Sequence, residues 1–243
     1  MTIEQLDLNS RQAEFLGRLR AKRDGYHLEH PFEQKLKRGE LSMNQLRGWV
    51  ANRFYYQLNL PRKDAAILSQ CDDPRFRQAW VRRVLEQDGT AYDPGGIESW
   101  IEFGEVFGLT RSELLDGVYL LPPVKFAVEA YVHFARTSPW REGVCACLTE
   151  LFAGEAHESR IEAFSLHYPQ IPDSALSYFK RRTEQVKVDV KEGVTLTLEY
   201  FNTPELELRA EEILKFKLDI LWTIADAIYN EYVVKENFPW KES

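Results

Sequence analysis

Only three cysteines occur in 243 residues, Cys71, Cys145 and Cys147. So few, and an odd number, exclude a disulfide framework. Cys145 and Cys147 point to different sides of any helix that carries them, so they are poor joint ligands and read as small buried thiols. No run approaches the length needed to cross a bilayer, and the opening MTIEQLDLNSRQ has neither the basic nor the apolar segment of an export leader. Basic residues are outnumbered, 31 against 38 acidic, for a net charge of −7, which argues against a nucleic-acid partner. His-Glu-x-x-His, paired Cys-x-x-Cys, a Gly-rich phosphate loop and a nucleophile elbow are all missing. A ferritin-like metal site wants Glu-x-x-His on facing helices, whereas Glu29 and His30, and His157 and Glu158, are adjacent. No segment sustains the alternation of a half-buried strand. These absences leave a soluble, cytoplasmic, all-α chain with no metal, no membrane and no nucleic acid.

What is present is helix punctuation. Ser10 is read as capping a first helix to about Lys22, and HPFEQKLKRG as a short helix stopped by Gly39. Ser42 caps MNQLRGWVANRFYYQ, and Pro61 is read as opening a separate PRKDAAILSQ. Asp73-Pro74 starts a helix that Gly89 stops; TAYDPGG is a loop, and Thr110 with Glu113 makes a capping box. GIESWIEFGEVF, PVKFAVEAYVHFA, PWREGVCACLTELFA and AHESRIEAFSLH follow as helices. Two long ones close the chain, about Asp173 to Tyr200, with VTLTLEY as its end, and about Pro204 to Val233. The expectation is one domain over residues 1–243, a single compact bundle of about seven or eight helices.

Several polar side chains fall on faces that should be apolar. In EILKFKLDILW, Lys217 sits between Ile213 and Leu214 one turn before and Ile220 and Leu221 one turn after. Arg53 shares a stripe with Val50, Phe54 and Gln57; Arg83 and Gln87 stand at i and i+4; Glu150 is embedded among Leu148, Leu151 and Phe152. His157 and Arg160, then Tyr178 and Arg182, repeat the pattern. Any one pair reads as a solvated helix flank, but the set does not, because buried cations need anions. A bundle core lined this way forms a cationic pocket for a carboxylated ligand, which arginine's planar fork can hold at two points.

The blocks YHLEHPF, GWVANRFYYQ, KDAAIL, GGIESW, FAVEAYVHFAR, LTELFA, HYP, YFKRR and ILKFKLDILW resemble the PqqC family of pyrroloquinoline-quinone (PQQ) synthases, in order, from about residue 15 to 232. The resemblance implies a haem-oxygenase-like helical bundle, a homodimer, and the last step of PQQ biosynthesis. That step is ring closure and multi-electron oxidation of a tricarboxylate precursor by O2, with PQQ and hydrogen peroxide as products and no metal or redox cofactor. It further implies that Arg53, Arg83, Arg160 and Lys217 meet substrate carboxylates and quinone oxygens, and that Tyr26, His27, Tyr56, Gln57, Tyr131 and Glu150 line the cavity. His157, Tyr178 and Arg182 would serve proton transfer and the oxygen site, with Lys217 stabilising the anion formed as oxygen accepts electrons.

Two departures stand out. Gln87 replaces a family histidine before Asp88-Gly89, and Glu29 stands where the family commonly has another histidine. Glutamine exchanges hydrogen bonds but cannot cycle a proton near neutral pH. The alternative expectation is therefore a divergent member that binds a quinone or aromatic carboxylate without full turnover. A metal-dependent oxygenase of the same superfamily is disfavoured by Arg182 and Val186 at helical positions where ligands would stand, and a thiaminase by the cationic pocket.

Overall fold

Capping chemistry sets most helix starts in the computed structural model, which describes residues 7–240; the leader-free reading of residues 1–6 lies outside them. Asn9, not Ser10, caps α1 (Ser10–Arg20) in a box with Gln12, and a 3-10 turn (Ala21–Gly25) follows. His30 caps α2 (Pro31–Lys37) by accepting from the Phe32 N–H at 3.0 Å. Ser42 and Gln45 box the start of α3 (Met43–Gln70). Asp73 caps α4 (Pro74–Asp88), which ends at Gly89 with φ 85°. Next come α5 (Gly95–Val106), α6 (Arg111–Leu115) behind the Thr110–Glu113 box, α7 (Pro122–Thr137) and α8 (Trp140–Cys145). A 3-10 segment (Ala146–Thr149) leads into α9 (Glu150–His167); α10 (Ser177–Tyr200) and α11 (Pro204–Ile228) close the bundle, the last unwinding into a π turn (Tyr229–Val234). Eight of these helices have eleven residues or more, matching the expected bundle. No helix among the described residues is long and apolar enough to cross a membrane.

Two boundaries differ from the sequence expectation. Pro61 does not open a helix; it lies buried inside α3. A proline there withholds an N–H from the Gln57 carbonyl, at about 3 kcal/mol in an exposed helix. Here α3 packs against α4, α5 and α7, and that tertiary burial outweighs the local penalty. The second break falls before Glu150 rather than before Ala156, so Glu150, His157 and Arg160 share one rigid helix.

An aromatic cluster fills the middle of the bundle. Trp49 of α3 meets Trp100 of α5 edge-on at 5.6 Å, and Phe103 and Phe179 meet at 5.2 Å. Trp100 then stands edge-on to Tyr178 at 4.9 Å. Such tilted pairs fix ring orientation beyond simple burial. Here they hold the Tyr178 phenol in one direction, toward the interior cavity.

Candidate active site

The α3 stripe Arg53, Tyr56, Leu60, Lys63 lines an interior cavity of about 50 Å³. Tyr131 comes from α7, and Cys147 and Thr149 from the 3-10 segment. Glu150, His157 and Arg160 come from α9, Tyr178 and Arg182 from α10, Leu221 from α11, and Tyr26 from the N-terminal turn. Larger hollows exist on the surface, such as one of about 520 Å³ beside Tyr55, Phe126 and Arg136. Its arginines are exposed, so the chemistry favours the smaller interior space. Nine of the residues expected at the site line it. The other five, His27, Gln57, Arg83, Gln87 and Lys217, stand one or two hydrogen bonds behind the lining.

Most of the buried cations already have internal anions. Arg160 makes a two-point pair with Glu33 and donates to His27 Nε2 at 2.9 Å. Arg83 pairs with Glu150 and reaches Asp64 at 3.4 Å and Asp189 at 3.1 Å. Arg182 holds Asp189 Oδ2 at 3.1 Å, and Lys63 holds Asp64 at 2.6 Å. Sequence reasoning missed Glu33, Asp64 and Asp189, and with them Lys63, Thr149 and the cavity position of Cys147. A signal for Lys63 existed: it lies seven residues after Tyr56, hidden once the helix was broken at Pro61. Asp189 likewise falls seven residues after Arg182 on the buried stripe of α10.

Two cations are left over. Arg53 lies over the Tyr56 ring at 3.9 Å, and one of its terminal nitrogens is buried with no hydrogen-bond partner. Lys217 is 0% exposed. Its Nζ donates to Tyr56 Oη at 2.8 Å and stands 4.1 Å from the centre of the Tyr131 ring. No carboxylate among the described residues pairs with it. Burial first, then the charges of Arg53 and Lys63, hold the Lys217 ammonium well below its ordinary range. Lys217 therefore does not snorkel; its amine stays inside the bundle.

The proton-bearing groups follow the same logic. Burial pushes the Tyr26, Tyr56, Tyr131 and Tyr178 phenols up, so all four remain hydrogen-bond donors. Tyr178 donates to Gln57 Oε1 at 2.7 Å, and Gln57 Nε2 donates to Gln87 Oε1. Gly96 of α5 makes room for that amide, because a side chain there would collide with Gln87 Oε1. Glu29 is exposed and pairs with Arg23 at 3.0 Å, away from this network.

His27 and His157 are neutral. Burial, reinforced first by Arg160 in each case, holds both imidazoles well below 6.5, and each has an Nδ1 with no partner. The sign of the pH effect follows. Below 6.5 the unfolded chain binds protons that the folded protein refuses, so stability falls as pH falls through 6.5. Each histidine contributes a slope of up to about 1.4 kcal/mol per pH unit. Denaturant midpoints measured from pH 7 down to about pH 5 should fall in the native protein and fall less steeply in His157→Gln. Identical slopes would mean that His157 is charged inside the fold.

Taken together, the site offers one free guanidinium nitrogen, one buried amine, four phenol donors and two neutral imidazoles in and behind the lining of one small cavity. Such a set is chemically able to hold an anionic planar molecule and to exchange protons with it.

Comparison with known proteins identifies the family. Residues 16–227 match the TENA/THI-4/PQQC family. The pyrroloquinoline-quinone synthase of Acinetobacter baylyi is 48% identical over 223 residues, covering 92% of this chain and 88% of the relative. That of Cronobacter sakazakii is 47% identical over 221 residues, covering 91% and 88%. In three dimensions a TenA homologue from Pseudomonas syringae pv. tomato superposes with a TM-score of 0.73 at 10% identity, covering 95% of this chain and all of that one. A domain with a haem-oxygenase-like fold from Shewanella denitrificans gives 0.72 at 11% identity, covering 98% and 99%. The match over residues 16–227 and relatives at 47–48% identity lead to one conclusion: the chain belongs to the TENA/THI-4/PQQC family.

Proposed function

We propose that this protein is a pyrroloquinoline-quinone synthase, closing a ring in a tricarboxylate precursor and oxidising it with O2 to PQQ and hydrogen peroxide. The carrying observation is Lys217, buried without a carboxylate beside the unpartnered nitrogen of Arg53. Cations left unmatched by the protein are matched by a ligand. Arg53 would take a substrate carboxylate. Lys217 would become charged as anionic substrate enters and would stabilise the negative charge that builds as electrons pass to oxygen. His157, neutral with a free ring nitrogen, would accept the proton released at the ring, and Tyr178 would orient the reacting edge through Gln57. The electrons come from the substrate, so the protein's share is positioning, proton transfer and electrostatics. A cavity of about 50 Å³ is smaller than such a substrate, so lining side chains must move outward on binding.

Gln87 supports a second reading. An amide at the end of the Tyr178–Gln57 chain fixes the direction of those hydrogen bonds and supplies no exchangeable charge. In that case the protein closes the ring or binds the precursor and stalls before full oxidation.

One experiment separates the two. Purified protein is mixed with the tricarboxylate precursor, in air and then anaerobically, while PQQ absorbance and peroxide are followed. The first reading expects oxygen-dependent PQQ over many turnovers, with Gln87→His changing the rate less than about tenfold. The second expects a stalled intermediate, and Gln87→His then restores at least about 10²-fold. Absence of any binding would reject both.

A further inference from the structure

Of the three thiols only Cys147 lines the cavity. Cys145 is packed in the core with its Sγ against the Ala210 carbonyl at 3.6 Å, and burial pushes that thiol up. Cys71 sits beyond α3 with its Sγ 3.7 Å from the Asp73 carbonyl. Cys147 has different company. Lys63 Nζ donates to its sulfur at 3.2 Å, and Tyr131 Oη lies at 3.5 Å. The Gly143 carbonyl accepts from the thiol at 3.5 Å.

The charge on Lys63 is secure. Burial is the largest influence and works against it, but Asp64 at 2.6 Å, Cys147 and Glu150 together outweigh burial and the Arg83 charge and keep the ammonium above its ordinary range. A buried ammonium on a sulfur stabilises the negative charge that develops there during nucleophilic attack. The space in front of Cys147 is also built for a polar guest: the free nitrogen of Arg53 borders it, and so does His157, 7% exposed with Nδ1 unpartnered.

We propose that Cys147 is a peroxide-oxidation site facing the reaction cavity, where hydrogen peroxide converts its thiol to a sulfenic acid. The sulfur attacks one peroxide oxygen; an S–O bond forms as the O–O bond breaks. Sulfur loses two electrons, and the departing hydroxide leaves as water with the thiol proton. Two equivalents of an external thiol reverse the step, giving back Cys147, a disulfide of the external thiol and water. The cavity wall shields Cys147 from bulky oxidants in bulk solvent but not from peroxide formed inside. In so small a cavity one added oxygen beside Lys63 obstructs the substrate, so the modification acts as a product-linked brake. The internal source of peroxide rests on the synthase reading; the reactivity of the thiol does not.

The test has two arms, each ended by catalase and unfolding in dimedone, with adducts located by peptide mass spectrometry. In the first, the native protein meets a few-fold excess of hydrogen peroxide without precursor. At least ten-fold more adduct is expected at Cys147 than at Cys71 or Cys145. Lys63→Met should slow its formation about ten-fold, and Lys63→Arg should retain it. Equal labelling of the three cysteines, or none at Cys147, overturns the proposal. In the second arm the precursor and air replace added peroxide, with catalase present throughout. Adduct at Cys147 that persists with catalase supports the internal source, and PQQ formation without it overturns the brake. If the precursor is not oxidised at all, the synthase reading alone fails, because the first arm has already decided the chemistry of Cys147.

Discussion

Lys217→Met is expected to lower PQQ formation by about 10²-fold or more while leaving the fold as stable as before or firmer. The activity loss follows from removing the amine that, on the proposed reading, gains its charge as anionic substrate binds; deleting a single preorganised donor typically removes about 10²–10³ in rate. The stability expectation follows from where the lysine sits. It is fully buried, its only hydrogen-bond partner among the described residues is the Tyr56 hydroxyl, and it shares the interior with Arg53 and Lys63. Methionine has nearly the same length and no proton to give up on burial, and replacing poorly compensated buried ionisable groups by apolar volume is often neutral or stabilising by roughly 1–4 kcal/mol. A structural lysine would behave in the opposite way, losing stability and activity together.

pH provides a second check on the same residue. Its folded-state proton affinity is depressed below 10.5. Between the depressed value and 10.5 the unfolded chain holds a proton that the folded chain has released, so native stability rises with pH through that window. Lys217→Met has no such component. Its stability advantage should therefore be largest near neutral pH and shrink as pH approaches 10.5. Paired denaturation curves near pH 7 and about pH 9 read this directly, and a constant difference would mean that Lys217 is not desolvated.

What was legible in the sequence depended on how local the signal was. The Ser42 cap, the Thr110–Glu113 box and the Asp73–Pro74 to Gly89 helix are each written in a few residues, and each stands where expected. The run VTLTLEY was correctly absorbed into α10, because its environment there, and not its β-branched composition, decides its state. Pro61 misled because a local rule lost to tertiary packing. That single break also hid Lys63, which continues the Tyr56 stripe on the same helix.

The cations were legible and their anions were not. Lys217 or Arg83 on an apolar face contradicts its surroundings, which draws attention. Asp64 follows a lysine and Asp189 lies within KVDVKE, so each resembles an ordinary solvated charge. Only the arrangement of α3, α4 and α10 brings Asp64, Arg83 and Asp189 within reach of one another. The practical effect is to divide the expected cationic set. Arg83, Arg160 and Arg182 are braced by the protein, whereas Arg53 and Lys217 have no carboxylate partner among the described residues.

That division predicts the largest stability loss away from the cavity lining. Asp189→Ala should cost about 3–5 kcal/mol, because removing one partner strands buried opposite charge. Asp189 is 1% exposed and meets Arg82 at 2.9 Å, Arg83 at 3.1 Å and Arg182 at 3.1 Å. Burial alone would raise its carboxyl, but Arg83, Arg182 and Arg82 together bring it down to about 2. The contribution is thus complete above its ordinary 3.8 and lost only as pH falls through about 2. Arg82→Gln is the control: Arg82 is one-third exposed, and its pairs should be worth less than about 1 kcal/mol. Chemical denaturation of both variants gives the comparison, and a loss below about 1 kcal/mol for Asp189→Ala would refute the bracing role. Because Arg182 lines the cavity and leans on Asp189, the same substitution should also weaken precursor binding, whereas Arg82→Gln should not. Coupled loss in one variant and neither loss in the other is what separates a charge that braces the site from one that decorates the surface.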